Sequence, residues 1–182
     1  HAATFGPPGK RVQVILLDGR YNRSKLLMAD KPLPGTRIRP YLPNTEKGAT
    51  FLGEEQWKWL EEQLKQPADL RLLCSGIQVV ADEHPFEKWA NIPGDRERLY
   101  RLIRETNANG VVILSGDRHL GEISMDPKAI GYPLFDVTSS GLNQGTKTWR
   151  APTEPNPPRG PVMAPGGNFG ILTLARSVGP AV

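Results

Sequence analysis

An α/β fold is predicted by three apolar runs that stop in small or ligating residues and by helical periodicity between them. The runs are 12–17, ending at Asp18; 70–80, interrupted by Ser75-Gly76; and 111–114, ending in Ser115-Gly116-Asp117-Arg118-His119. Apolar runs without alternation are the pattern of strands covered on both faces, as in parallel sheets. Strand, helix, strand, helix, strand is the order that layers helices on such a sheet. It predicts that the strands ending at Asp18, near Ser75 and at Asp117 share one sheet edge, where α/β proteins bind their ligands.

Residues 1–11 read as a leading loop set by Gly6-Pro7-Pro8-Gly9. After the 12–17 strand, residues 22–52 hold Pro32, Pro34, Pro40 and Pro43 with no sustained period, a long excursion of the kind that is often functional. Residues 54–66 turn helical, with Trp57, Leu60 and Leu64 on one face, Glu54 and Glu55 in the first turn and Pro67 as the stop. Trp57 and Trp59 read as core and flank. Asp95 is expected to cap a second helix over 96–106 with Leu99, Leu102 and Ile103 inward, ended by Asn107-Ala108-Asn109-Gly110. Further strands are expected at 121–124, 132–138 and 168–174. Residues 145–167 read as a Pro/Gly-rich loop without core pattern and 176–182 as a frayed tail. No internal repeat is present, so the 182 residues read as one domain.

Composition narrows the function. The net charge of +4 is dispersed, with no Lys/Arg cluster and no interleaved aromatics, so there is no nucleic-acid footprint. A mildly basic surface suits a small anionic substrate. No apolar run approaches the roughly 18 residues of a membrane span, and the start has no signal-peptide apolar region. The absent initiator Met reads as a processed or excised piece. Cys74 is the single cysteine, which excludes an intrachain disulfide and reads as a small buried hydrophobe.

Asp117 and His119 are the strongest candidates for chemistry. A carboxylate and an imidazole are ligands for Fe, Zn, Mn or Ca, and in continuing extended chain positions i and i+2 point to the same side. The alternative is a polar turn, with Asp117 capping it and His119 on the surface. Two donors do not make a metal site. Asp18, His84 and His1 are the other candidates within the chain, without a tight spacing. His84 lies in the polar loop 81–89, where a solvated histidine and a functional one are both open readings. There is no P-loop, Gly-x-Ser-x-Gly elbow or Cys cluster.

Several stretches together resemble the carboxyl-terminal half of the alkaline phosphatase D family, metallophosphoesterases related to purple acid phosphatases and phospholipase D-type phosphodiesterases. They are Thr4-Phe5-Gly6-Pro7 through Asp18, Gly53-Glu54-Glu55-Gln56-Trp57, Glu87-Lys88-Trp89-Ala90-Asn91, Leu114 through His119 and Asn168-Phe169-Gly170. The resemblance implies a metallophosphoesterase β-sandwich flanked by helices, of which this chain supplies one half. It implies Asp117 and His119 as ligands of a dinuclear centre of iron and calcium, with manganese or zinc as alternatives. Arg20 would face the substrate phosphate in a segment where the family reads Asp-Thr-Arg, with Asp18 orienting the loop; Gly19 replaces the Thr. Leaving-group protonation falls to His84 or to a water. The implied reaction is attack of an activated water on the phosphorus of a small phosphate ester, in an extracytoplasmic compartment.

The family's remaining ligands, in Gly-Asp and Trp-Asp-Asp-His-Asp motifs, are absent from these residues and belong to an amino-terminal half. Two hypotheses therefore stand: a metal-dependent phosphoesterase of which this chain is a part, and an inactive remnant that binds metal weakly.

Overall fold

The structure, a computed structural model, describes residues 1–146, 155–164 and 166–174. In chain order the strands are β1 (Ala2–Phe5), β2 (Val12–Leu16), β3 (Leu27–Met28), β4 (Tyr41–Leu42), β5 (Leu70–Ser75), β6 (Val111–Ser115), β7 (Gly121–Asp126), β8 (Leu134–Ser139) and β9 (Arg159–Ala164). Seven of them form a mixed sheet in the order β1-β2-β5-β6-β8-β7-β9, and β3 with β4 makes a small separate ribbon inside the excursion. Strands β2, β5, β6 and β8 run parallel to their neighbours in this series. Registers such as Leu16 with Cys74 and Ser75 with Ser115 bring their carboxyl ends to one edge, as the apolar runs predict.

Two helices connect the parallel strands, α1 (Glu54–Leu64) and α2 (Pro93–Glu105). Both crossovers, β2 to β5 and β5 to β6, step the same way across the sheet. Right-handed connections that step in one direction place their helices on one face. There Trp57, Leu60 and Leu64 of α1 and Leu99 and Ile103 of α2 share a core with Ile15, Leu73 and Ile113 of the sheet. Helix α2 begins at Pro93, whose fixed φ suits a first helical turn. Asp95 thus sits inside the first turn and is not the cap expected of it. Its buried carboxylate accepts hydrogen bonds from the Phe51 N–H (2.6 Å) and the Thr50 hydroxyl (2.9 Å), tying the end of the excursion to α2.

Among the described residues the opposite face carries no second layer. Val14, Leu72, Val112 and Phe135 stand in register across four strands, and Leu16, Cys74, Leu114, Val137 and Ile123 make a second row. None of these side chains is fully buried. Phe135 keeps 43% of its surface and Leu16 46%. Cys74 belongs to this face and is half-buried, not enclosed as its apolar context suggests, because among the described residues no second sheet or helical layer packs on it. Of the expected sandwich the described residues hold one sheet and its helical layer.

Several boundaries differ from expectation for physical reasons. Residues 2–5 are a strand because the turn at 6–10, with the Lys10 N–H on the Pro7 carbonyl at 3.0 Å, folds them antiparallel onto β2. The 70–80 run stops as a strand at Ser75, since the Val79 and Val80 N–H groups turn to the Asp136 carboxylate at 2.7 and 3.0 Å. Part of the Pro/Gly-rich stretch, Arg159–Ala164, pairs with β7 despite its composition; residues 147–154 and 165 lie outside the described residues. Residues 168–174 form no strand, with Phe169, Ile171, Leu172 and Leu174 exposed. The tail at 176–182 also lies outside the described residues.

An uncovered apolar face of this extent makes self-association the expected behaviour of residues 1–182 in isolation. Light scattering after size exclusion should show concentration-dependent assembly and a hydrophobic dye should bind. Phe135→Lys should reduce both while changing unfolding free energy by about 1 kcal/mol or less, because the side chain is half-exposed. A monodisperse, dye-silent monomer would contradict this.

Candidate active site

The parallel strands deliver three loops to one edge, and each loop brings charged groups. After β2, the Asp18 carboxylate accepts the N–H groups of Arg20 (2.9 Å) and Tyr21 (3.0 Å), closing a tight turn. These backbone bonds hold the Asp18 carboxyl below its usual range. Gln56 at the start of α1 brackets the turn, donating to the Asp18 carbonyl and accepting its N–H. Asp18 therefore shapes the loop, and its carboxylate restrains the flexibility that Gly19 would otherwise bring. The turn lifts Arg20 toward the ends of β5 and β6. A depression of about 220 Å³ lined by Leu17, Asp18, Arg20, Gly76 and Ile77 opens beside it.

The second loop, between β5 and α2, contributes Glu87. One of its oxygens accepts Arg20 Nη1 at 2.6 Å and Arg23 Nη1 at 2.9 Å. Tyr41 of β4 also hydrogen-bonds Glu87, and burial followed by the charge of that carboxylate raises its phenol above the usual range. The ribbon is held here by its backbone, with the Tyr41 N–H on the Pro85 carbonyl at 2.9 Å.

The third loop follows β6. Asp117 and His119 both take left-handed backbone conformations, with φ of 69° and 57°, so the chain bends and does not continue extended as expected. The two side chains nevertheless emerge on the exposed side. Arg118 between them is buried, its guanidinium 4.5 Å over the Phe86 ring and its N–H on the Ser140 hydroxyl at 3.0 Å. Arg20 Nη2 lies 3.5 Å from an Asp117 carboxylate oxygen, joining the ends of β2 and β6. Desolvation, then the Glu87 charge, push the Asp117 carboxyl above its usual range, while Arg20, His119 and Arg118 oppose the shift.

His84 does not join this group. Its ring is fully buried, Nε2 is 2.9 Å from the Gln78 side-chain oxygen and Nδ1 accepts the Phe86 N–H at 3.2 Å. This corrects both sequence readings: the ring is not solvated, and it presents no nitrogen to a leaving group. Its place is in a polar layer under the edge, where Gln78 also donates to Glu122 and Thr138 at 2.6 and 2.7 Å. The amino group of His1 bonds the Leu16 carbonyl beside the β2 end.

Glu87, Arg23 and Tyr41 are the members that spacing alone does not single out. Glu87 is 64 residues from Arg23 and 67 from Arg20, and no local motif joins them. Among the described residues no group of three His, Cys, Asp or Glu side chains is placed to hold a metal ion. Asp117 and His119 supply two donors, short of the roughly four to six that such ions take. These residues by themselves do not fit a metal centre.

Comparison with known proteins gives a consistent picture. The family described as PhoD-like phosphatase matches residues 7–132. Alkaline phosphatase D of Bacillus subtilis (strain 168) is 32% identical over 79 residues, covering 38% of this chain and 14% of that protein. A solved structure of PhoD superposes with a TM-score of 0.58 and 23% identity, over 80% of this chain and 30% of the other. The chain thus spans well under half the length of each.

The Glu87 loop owes its shape to Lys88, whose buried Nζ donates to the carbonyls of His84 (2.6 Å) and Phe86 (3.3 Å). Burial depresses its ammonium from 10.5 to about 8. Below about pH 8 both folded and unfolded chains carry the proton. Between about 8 and 10.5 the unfolded chain binds more, so this group's contribution to stability rises with pH across that window. The unfolding free energy of the wild type minus that of Lys88→Met should therefore climb from pH 8 to 10.5 in denaturant titrations. A difference that stays flat would show that Lys88 titrates normally.

Proposed function

The chain belongs to the PhoD-like phosphatase family, and on that premise we propose that the edge carrying Arg20, Asp117 and His119 is part of the site of a phosphoric ester hydrolase. The observation that carries this reading is the approach of Arg20 to Asp117 at 3.5 Å across the ends of two parallel strands. The exposed Arg20 guanidinium offers paired N–H donors to non-bridging phosphoryl oxygens and opposes the charge that develops on them. His119 and Asp117 are proposed as two of the ligands of a metal centre of iron, calcium, manganese or zinc. The described residues do not complete such a centre, so no step is assigned to it. Its other donors are proposed to come from polypeptide outside these residues, which agrees with coverage of 30% of the PhoD chain and with an apolar sheet face left open. The substrate is a small phosphate ester. A second reading, an inactive remnant, is favoured for residues 1–182 alone by the absence of a three-residue ligand group among the described residues.

Residues 1–182 supplied with Fe, Ca, Mn or Zn should turn over p-nitrophenyl phosphate no faster than a blank. A longer polypeptide carrying the Gly-Asp and Trp-Asp-Asp-His-Asp segments should be active. In it His119→Ala should lower kcat/KM by about a hundredfold or more, while Arg20→Ala should cost about tenfold or more. Full activity in the longer His119→Ala protein would end this reading. Robust turnover by residues 1–182, lost in His119→Ala, would place the whole ligand set within this chain.

A further inference from the structure

Resting on that reading, we propose that Arg23 joins Arg20 in a two-arginine clamp for a phosphoryl group, and that Glu87 is the positioning residue that aims both. The two guanidiniums share one Glu87 oxygen, at 2.6 and 2.9 Å through their Nη1 atoms. Like charges this close would splay apart in water; the carboxylate between them holds them side by side. Glu87 is itself mostly buried, whereas Arg20 is half-exposed and Arg23 partly so. The fixed end of the assembly is therefore inside and the binding end outside. Tyr41 steadies the carboxylate from the ribbon.

Each guanidinium carries five N–H donors in a rigid fork. The bond to Glu87 occupies one donor of each. A phosphoryl group presents several oxygens around one phosphorus, more than one guanidinium edge can address, and a second arginine beside the first serves the remainder. The excursion that carries Arg23 and Tyr41 is folded onto the edge by the Tyr41–Pro85 backbone bond. Arg23 stands at the start of that excursion, three residues after Arg20, and Tyr41 farther along it returns to the same Glu87.

Charge and positioning make opposite forecasts for Glu87. Removing a carboxylate beside an anion site raises the local charge by one, and electrostatics alone would tighten phosphate binding. Positioning says that binding weakens, because the arginines lose their common anchor. The test is titration of residues 1–182 with inorganic phosphate, followed by NMR of ¹⁵N-labelled arginine and histidine side chains. In the wild type the Arg20 and Arg23 Nε signals should move together with one apparent Kd. Arg23→Ala should weaken binding about tenfold, and Arg23→Lys should recover little of it, since an ammonium lacks the fork.

Glu87→Ala should weaken binding about five- to tenfold and collapse both arginine signals toward the free-arginine position before any phosphate is added. Glu87→Gln, which keeps an acceptor in place, should stay within about threefold of wild type. It also guards against a fold defect in Glu87→Ala, as backbone spectra would. Tighter binding in Glu87→Ala overturns the positioning role. Unchanged binding in Arg23→Ala, with a loss in Arg20→Ala, overturns the clamp and leaves the phosphoesterase reading standing. No phosphate-dependent shift at Arg20, Arg23 or His119 overturns both.

Discussion

Two crossovers that turn the same way govern this molecule. From β2 the chain passes through α1 to β5, and from β5 through α2 to β6, always stepping toward the same side of the sheet. Handedness then leaves no choice about where the helices go. Both pack on one face, and the loops after β2, β5 and β6 all emerge at one edge. The juxtaposition of Arg20, Glu87 and Asp117 follows from that arrangement, as does the apolar face on the other side. A doubly covered parallel sheet would need a reversal of direction or a second layer, and the described residues supply neither.

The edge is not held by loops alone. Beneath it Asp136 is fully buried, and its carboxylate accepts the N–H groups of Val79 and Val80 and the Ser115 hydroxyl. Burial raises its carboxyl above the ordinary range, against the pull of these hydrogen bonds. Gln78 continues the network to Glu122 and Thr138, and Glu122 to Asn156 and Arg159. A carboxylate with no exposure is costly unless it is fully hydrogen-bonded. Here two of the three donors, the Val79 and Val80 N–H groups, belong to the start of the loop that carries Glu87. The polar layer thus fixes the direction in which that loop leaves β5, and His84 is one of its members and not part of the surface chemistry.

What was legible in the sequence was whatever has a period. The strands near 12–16, 70–75 and 111–115 and both helices show their apolar pattern locally, and their order dictates the shared edge. Asp117 and His119 were legible because a buried strand ends in them. Arg20, by contrast, came from a family likeness. Arg23, Tyr41 and Glu87 leave no local trace, since each is an ordinary loop residue until the excursion folds onto the 84–88 loop. His84 was not legible for the converse reason: the polar stretch Asp82-Glu83-His84 suggests either solvent or surface chemistry, whereas the ring lies in the buried polar layer with Gln78 and the Phe86 backbone on its two nitrogens. Strand β1 hid because half-exposed edge strands need no apolar run, only a turn that returns them to a partner.

The failure of 168–174 as a strand is of another kind. Its sequence, Asn-Phe-Gly-Ile-Leu-Thr-Leu, has the composition of a strand, and its course crosses the open face. Gly170 lies against Ser139 at the end of β8, and Thr173 and Leu174 border a recess shared with Val12 and Leu70 at the starts of β2 and β5. Leu172 is less exposed than Ile171, 47% against 81%, so the two sides of the segment already differ in what they meet. What it lacks is a neighbour in its own plane, for among the described residues no strand pairs with it. Strand formation is a property of pairs: side chains can prefer the extended chain, but the ladder that defines a strand needs a second backbone. A layer stacked over the open face would meet the outward side of this segment and offer its backbone a partner at the same time. Among the described residues, the apolar face that only this segment crosses and the segment that pairs with no strand are therefore two aspects of one incomplete layer.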